Sequence, residues 1–146
     1  MKALFDLNEW KIIEHNFDSS KQEAAESIFS IGNGAFGQRA NFEEKYSGKS
    51  LKGSYVGGIY YPDKTKVGWW KNGYPKYFAK VLNSCNWIGI NIEVNEQQLD
   101  LAICQLDSFY RELDMYRGIL TRKFVCSFND GKKIEVESVR FCSMHD

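Results

Sequence analysis

The residues of this sequence best suited to chemistry are aromatic and amide side chains in one polar loop. The loop, PDKTKVGWWKNGYPKYF, runs from residue 62 to residue 78 and is too interrupted for a core strand. Aromatic faces stack on the C–H faces of sugar rings, and amide groups hydrogen-bond to sugar hydroxyls. We therefore predict a substrate-binding loop, and its candidate sugar-contacting residues are Trp69, Trp70, Asn72 and Tyr74.

The same loop fits two other roles. Its rings could pin a long loop onto the body of the domain, because aromatic side chains pack more often than they bind ligands. They could also form a protein–protein interface, where aromatic residues are enriched. The residues alone leave all three roles open.

A second stretch with a chemical signature is GNGAFG, from Gly32 to Gly37, which matches the G-x-G-x-x-G pattern of dinucleotide sites. Such a site needs a helix directly after the glycines and an acidic residue about 20 positions downstream. Here residues 36–42 alternate as a strand does, and residues 46–62 contain no Asp or Glu. The stretch therefore predicts tight turns and close backbone packing.

No arrangement of acidic or nucleophilic residues marks a catalytic centre. Carboxylates are plentiful, but no spacing selects a pair for glycosidic chemistry, and solvated strand faces would explain them all. We predict no catalytic residue, no metal site and no cofactor. The carboxylates considered are Glu43, Glu44, Asp107, Glu112, Asp114, Glu135 and Glu137.

The cysteine and histidine content argues against a zinc site. Four cysteines form no C-x-x-C pair, and only two histidines are present, so a local ligand pair is missing. Free cysteines are usually buried, and reduced thiols are typical of the cytoplasm. We therefore predict four reduced, buried thiols in a cytoplasmic protein: Cys85, Cys104, Cys126 and Cys142.

Length and charge limit the possible partners. The 146 residues suggest one domain, and 19 basic residues balance 19 acidic ones. A net charge of zero argues against nucleic acid or an anionic membrane as partner. Asp6 and Glu9 interrupt any signal-peptide core, and no stretch approaches the length of a membrane span.

Short strands separated by turns dominate the pattern. We predict strands over residues 10–17, over 54–61 with a bulge or a close backbone approach at the glycine pair, and over 86–94, where isoleucines alternate before an Asn95-Glu96 turn. Residues 20–29 predict one short helix, with Ser20 and Glu23 at capping-box spacing.

The C-terminal third predicts a hairpin. Apolar residues share one face from Leu120 to Phe128, and Gly131 suits the turn to a return strand that begins near Ile134. After Ser138 the apolar phase slips by one residue, which predicts a β-bulge. The whole pattern predicts an all-β fold, an antiparallel β-sandwich.

Several blocks of the sequence resemble, in order, the N-terminal region of glycoside hydrolase family 65. The loop from residue 67 to residue 78 is most similar to the maltose phosphorylase branch of that family. Two residues depart from the family pattern: Ala35 replaces an aromatic residue and Ala40 replaces a glycine. The matching blocks are ESIFSIGNGAFGQRANFEE, GSYVGGIYYPDKTKVGWWKNGYPKYF, NWIGINIEVN, LDLA and RELDMYRGILTRKF.

The resemblance implies that residues 1–146 are part of an N-terminal, galactose mutarotase-like supersandwich and contain no catalytic residue. The family's catalytic acid and phosphate site lie in an (α/α)6-barrel, which these residues do not include. The implied parent enzyme is cytoplasmic and homodimeric, and cleaves a disaccharide such as maltose with inorganic phosphate as co-substrate, inverting the anomeric carbon. A stand-alone carbohydrate-binding module and a dimerisation domain remain the alternatives.

The apolar sequence around residues 140–146 predicts an incomplete sandwich. An incomplete sandwich exposes an unpaired strand edge and an apolar face. We expect a chain of these residues alone to be marginally stable or to self-associate.

Overall fold

A computed structural model describes residues 5–65 and 75–144. Strands make up most of the regular structure, and neighbouring strands in each sheet are antiparallel. The elements are β1 (Asp6–Leu7), β2 (Lys11–His15), a 3-10 helix (Ser19–Lys21), α1 (Gln22–Ile28), β3 (Ile31–Gly32), β4 (Phe36–Gln38), β5 (Ser54–Val56), β6 (Tyr60–Lys64), β7 (Tyr77–Val81), β8 (Glu93–Val94), β9 (Gln97–Gln98), β10 (Gln105–Asp114), β11 (Ile119–Ser127) and β12 (Lys133–Phe141).

The largest sheet has five strands in the order β1-β2-β10-β11-β12. Its centre is the predicted C-terminal hairpin, in which β11 and β12 pair without interruption from Ser127–Lys133 to Ile119–Phe141. Gly131 takes a φ of 79° in the connecting turn, a conformation that glycine adopts without a steric penalty. The predicted hairpin and its turn are therefore confirmed.

One face of this sheet forms the core. Leu120, Phe124 and Cys126 of β11 are all buried on this face, as their alternation predicted, although Leu120 packs in a separate cluster with α1. The opposite layer is built from α1, the connection between β4 and β5, and the short segment around Leu99. The buried apolar residues of the described chain are Ala25, Phe29, Ala40, Phe42, Leu99, Leu101, Phe109, Leu113, Leu120, Phe124 and Cys126.

The predicted helix is present, but its cap differs from the prediction. Asp18, not Ser20, starts the helical segment: its Oδ1 accepts hydrogen bonds from the Ser20 backbone N–H at 2.9 Å and from the Ser20 hydroxyl at 2.6 Å. A 3-10 turn then leads into α1. The capping-box prediction was wrong because a stronger carboxylate acceptor lies two residues upstream.

Two of the predicted strands, over residues 54–61 and 86–94, differ from the structure. The glycine pair is not a bulge but the close backbone approach that was the other prediction, because the Gly57 N–H donates to the Ala35 carbonyl oxygen at 2.6 Å. Gly58 has a φ of 79°, so the chain turns there and β5 and β6 belong to different sheets. Residues 86–92 are not a strand, although the Ile90 N–H donates to the Glu43 carbonyl oxygen at 2.8 Å. The Asn95-Glu96 turn is confirmed, with positive φ at both residues joining β8 to β9.

The β-bulge predicted after Ser138 is absent, because β12 keeps its register along its whole length. The inward positions at this end of β12 are Ser138 and Arg140, whereas Val139 and Phe141 point outward and are exposed. The apparent slip in the apolar alternation therefore arises because Arg140, and not an apolar residue, occupies an inward position. The register shift in this sheet lies in β10, between Leu106 and Ser108.

The prediction of an all-β fold of antiparallel sheets is confirmed. Ala40 is buried and has no positive φ, as its replacement of a glycine implied. Among the residues that the structure describes, no helix is long and apolar enough to cross a membrane.

Candidate carbohydrate-contacting hairpin and its support

Strands β6 and β7 form a two-stranded hairpin that carries the predicted sugar-contacting loop. The strands pair from Tyr60–Val81 to Lys64–Tyr77. Beyond them the Thr65 N–H donates to the Lys76 carbonyl oxygen at 3.1 Å. The four predicted contact residues lie outside the described residues, and they are Trp69, Trp70, Asn72 and Tyr74.

Both faces of this hairpin are exposed. Tyr60 retains 60% and Val81 retains 63% of their surface, and every residue of β7 is exposed. An isolated two-stranded hairpin is marginally stable in water, and soluble proteins rarely expose contiguous apolar patches of this kind without a partner. The hairpin is therefore available to contact a ligand, another part of a longer chain or another protein.

Each face of the hairpin combines aromatic rings with charged groups. Asp63 and Phe78 are opposite each other on one face, and Lys80 Nζ lies 3.8 Å from the Asp63 carboxylate. Near the tip, Lys76 Nζ lies 5.5 Å from the centre of the Tyr77 ring. Rings beside polar groups suit a sugar, which has apolar C–H faces and hydroxyl edges.

The glycine motif supports the base of this hairpin. Gly34, with a φ of 89°, lies in the tight turn between β3 and β4, and Asn33 Oδ1 accepts the Phe36 backbone N–H at 2.9 Å. The Gly57 N–H in turn donates to the Ala35 carbonyl oxygen at 2.6 Å. The motif is thus a β-turn followed by a strand, as predicted.

A cavity of about 360 Å³ lies between this turn and the hairpin base. Its lining includes Ala35 and Phe36 from the turn and Tyr60 and Val81 from the hairpin. Ala35 is the residue that replaces an aromatic side chain of the family pattern. A larger side chain at position 35 would occupy part of this cavity, so the replacement leaves space beside the hairpin.

A row of polar residues, three of them charged, crosses the inner face of the five-stranded sheet. Glu14, Arg111, Arg122 and Ser138 are successive cross-strand partners on β2, β10, β11 and β12. Two arginines directly opposite each other repel, so each needs its own carboxylate. Arg111 donates through Nε to Glu14 Oε2 at 2.8 Å, and both side chains are buried.

Burial is the largest effect on the pKa values of this pair. It raises the pKa of the Glu14 carboxyl, although the Arg111 guanidinium acts in the opposite direction. The Arg111 guanidinium also packs over the Phe29 ring, with 4.9 Å between its central carbon and the ring centre. The pair therefore links β2, β10 and α1 at the centre of the fold.

A second network joins β11 and β12 to the connection between β4 and β5. Arg122 donates to Glu44 Oε1 at 2.6 Å and to Glu43 Oε2 at 2.6 Å, and Arg140 donates to Glu43 Oε1 at 2.7 Å. Burial raises the pKa of Glu43, but the two guanidiniums outweigh burial and hold this pKa below its ordinary value. The connection is thereby fixed against the sheet.

The prediction that all carboxylates are solvated was wrong for part of the set. Glu44 and Asp114 are buried, and Glu43 is held by two arginines. The available signal was Arg122, which falls in phase with the buried residues Leu120 and Phe124 of β11. An arginine at an inward strand position requires a buried carboxylate partner.

The four cysteines are free thiols, as predicted, but they are not uniformly buried. Cys85 is exposed, Cys104 and Cys142 are half-buried, and Cys126 is fully buried. Burial raises the pKa of Cys126 to about 12, so its thiol stays protonated at neutral pH. The described residues contain no cluster of His, Cys, Asp and Glu that could hold a metal ion.

Comparison with known proteins places this fold in a family. The model of the glycosyl hydrolase family 65 N-terminal domain matches residues 12–146. The chain is 45% identical to the maltose phosphorylase of Bacillus subtilis (strain 168) over 143 residues, which cover 98% of the chain and 19% of that protein. It is 29% identical to the kojibiose phosphorylase of Thermoanaerobacter brockii, covering 98% of the chain and 17% of that protein.

The structure has a close solved counterpart. A chain from the human microbiome, described as a kojibiose phosphorylase, matches with a TM-score of 0.84 and 35% identity, covering 97% of this chain and 19% of that one. The chain belongs to glycosyl hydrolase family 65 and corresponds to its N-terminal domain. It spans about a fifth of the length of the curated relatives it matches.

Proposed function

We propose that this domain belongs to a phosphorylase that cleaves maltose with inorganic phosphate. The observation that carries the proposal is the 45% identity to a maltose phosphorylase across 98% of the chain. The identity to the kojibiose phosphorylase is 29% over the same number of residues. Inverting cleavage would need an acid on the glycosidic oxygen and phosphate on the opposite face of the sugar, and residues outside this chain would supply that site.

Within this proposal, the β6–β7 hairpin has a specific role. Its strands are held together by regular pairing up to Lys64 and Tyr77, while both of its faces stay exposed. Binding residues commonly lie on loops that a rigid scaffold holds in place. The hairpin would therefore present Trp69, Trp70, Asn72 and Tyr74 to the bound disaccharide at the mouth of the active site.

The experiment is steady-state phosphorolysis of maltose by the intact protein that contains this chain. Trp70→Ala should raise KM for maltose about five- to tenfold with little change in kcat, because stacking on one aromatic ring contributes about 1–1.4 kcal/mol. Trp10→Ala is the matched control, since Trp10 is half-exposed and packs on Tyr116 instead of the hairpin. An unchanged KM in Trp70→Ala would overturn the role of the loop.

The same proposal covers assembly and location. A homodimer is supported by exposed apolar residues at one end of the sheet, among them Tyr116, Phe141 and Met144. A cytoplasmic location is supported by four free thiols, which suit a reducing compartment. Light scattering of the intact protein tests the dimer: a monomer at micromolar concentration would contradict it.

Two alternative functions of this domain predict different experimental results. A stand-alone carbohydrate-binding module would bind maltose without any phosphate-dependent cleavage, and the exposed hairpin rings favour it. A dimerisation domain would leave KM unchanged in Trp70→Ala while shifting the molecular mass. Measuring KM and mass on the same variants therefore separates the three functions.

A further inference from the structure

A polar cleft separate from the aromatic hairpin opens beside the inner layer. It has a volume of about 720 Å³ and lies between residues 41–54, residues 83–91 and Gln98 of β9. Sites for small ligands have volumes of roughly 300–1,000 Å³, so the cleft is large enough for one or two sugar rings. Residues of the hairpin strands β6 and β7 do not line it.

One wall of the cleft presents an oriented amide donor. Lys45 Nζ donates to Gln98 Oε1 at 2.7 Å, and Gln98 Nε2 donates to Asn91 Oδ1 at 2.6 Å. An asparagine side chain has one acceptor oxygen and two N–H donors. Because Asn91 Oδ1 already accepts the hydrogen bond from Gln98, the Nδ2 group of Asn91 is the end that can donate to a ligand.

Two further amides lie on the same wall. Asn86 Oδ1 accepts the Ile88 backbone N–H at 3.3 Å, which leaves Asn86 Nδ2 as the donor end. Asn83 is exposed and lines the same cleft. Three amide groups around one space match the hydroxyls of a sugar, which accept and donate hydrogen bonds in several directions.

The inner side of the cleft adds aromatic surface. Tyr46 is half-buried and lines the cleft, and the buried Phe42 ring supports it edge-to-face, with 5.2 Å between ring centres. Glu43 and Glu44 also line it, and Arg122 holds both carboxylates in place. Their side chains are 11% and 1% exposed, so these carboxylates stay with the arginines and are not offered to a ligand.

The charge balance of the cleft favours a neutral ligand. The carboxylates of Glu43 and Glu44 are compensated by the guanidiniums of Arg122 and Arg140. Two lysines, Lys45 and Lys52, also line the cleft and keep their charge, although Gln98 Oε1 accepts a hydrogen bond from Lys45. Because both lysines are exposed, water and salt screen their charge, and directional hydrogen bonds to a neutral ligand dominate.

We propose that this cleft is a carbohydrate-binding site that takes a neutral mono- or disaccharide of hexose units, distinct from the β6–β7 hairpin. The site binds sugar without performing chemistry on it. It is independent of the proposed phosphorylase function, because its argument rests on the lining residues alone. The amide of Asn91 is its principal donor, and the Tyr46 ring supplies the apolar contact.

The experiment is a titration of residues 1–146 alone with maltose, followed by protein-detected NMR or calorimetry, so that no residue beyond these can bind the sugar. Wild type should bind maltose saturably and should not bind sorbitol, an acyclic polyol. Asn91→Asp should weaken maltose binding about three- to tenfold, because it removes the N–H donor yet still accepts from Gln98 Nε2. Asn83→Ala should weaken binding in the same direction.

Asn129→Ala is the matched control, because Asn129 is an exposed amide in the β11–β12 turn and does not line the cleft. It should leave the affinity unchanged. Three results would overturn the proposal: no saturable binding by wild type, equal affinity in Asn91→Asp and wild type, or loss of binding in Trp70→Ala.

A second measurement covers the case in which the 146-residue chain associates too strongly to titrate. In the intact protein, Asn91→Asp should weaken one maltose site about three- to tenfold, while the other site and KM for phosphorolysis stay the same. Unchanged affinity at every maltose site would overturn the cleft site. A protein with no phosphorolysis but with the cleft-dependent binding would overturn the proposed function alone.

Discussion

Replacing Arg122 by methionine removes the cation that holds two buried carboxylates. The Arg122 side chain is 3% exposed, and its guanidinium binds Glu43 and Glu44 and packs over Phe42 and Phe124, with 4.5 and 5.0 Å to the two ring centres. Glu43 keeps Arg140 as a partner. Glu44 has no other cationic partner among the described residues, so the substitution leaves a buried, unpaired charge.

Breaking a buried ion pair from one side costs about 3–5 kcal/mol, because the remaining charge stays desolvated. We expect Arg122→Met to lower the free energy of unfolding by that amount. Adding Glu44→Gln should recover at least about 1 kcal/mol, because it removes the uncompensated carboxylate. Arg140→Met should cost less, about 1–3 kcal/mol, since Glu43 retains Arg122.

The assay is urea unfolding followed by tryptophan fluorescence and far-UV circular dichroism, with the free energies extrapolated to water. If Arg122→Met is unfolded in the absence of urea, the double variant with Glu44→Gln shows whether folding is recovered. A loss below about 1 kcal/mol in Arg122→Met would refute the reasoning. So would a double variant that is less stable than the single one.

Two further predictions follow from the pKa shifts. The pKa of Glu43 in the folded state lies below its ordinary 4.5, because Arg122 and Arg140 outweigh burial. Ionised Glu43 therefore stabilises the fold above about pH 4.5, and this stability is lost as the pH falls below that value. The decline should be shallower in Glu43→Gln, and equal slopes would contradict it. Iodoacetamide at pH 8 should label exposed Cys85 rapidly, and should label buried Cys126, whose pKa is about 12, only after unfolding. Mass spectrometry of the peptides measures the labelling of each thiol. Labelling of Cys126 before unfolding would contradict its burial.

The parts of the fold that follow from local pattern could be predicted from the sequence. Alternation in β11 identified Leu120, Phe124 and Cys126 as core residues, because side chains of a strand point alternately to opposite faces. Gly131 and the Asn95-Glu96 pair identified turns, because both places need a positive φ.

The parts that depend on distant partners could not be predicted in the same way. Residues 86–92 alternate as a strand would, yet the tertiary structure gives them no neighbouring strand. Arg140 occupies an inward position because Glu43, far away in the sequence, accepts its hydrogen bond. A pattern taken over a few neighbouring residues does not show such pairings. For this reason the prediction of a bulge after Ser138 was wrong.

The candidate site was predicted unevenly. The aromatic loop was located by composition, and the structure adds that the strands carrying it are paired and exposed on both faces. The polar cleft was missed, because its lining comes from three separate segments: residues 41–54, residues 83–91 and Gln98. Each of these segments, taken alone, has the sequence of an ordinary polar loop between strands.

The central claim is that this domain serves a maltose-cleaving phosphorylase. The most direct measurement is the release of glucose 1-phosphate when the intact protein is incubated with inorganic phosphate and maltose, kojibiose or trehalose in parallel. The account predicts phosphate-dependent release from maltose at a rate at least tenfold above the other two sugars, a difference of about 1.4 kcal/mol in activation free energy. Release from kojibiose or trehalose in preference to maltose, or no phosphate-dependent release at all, would contradict it.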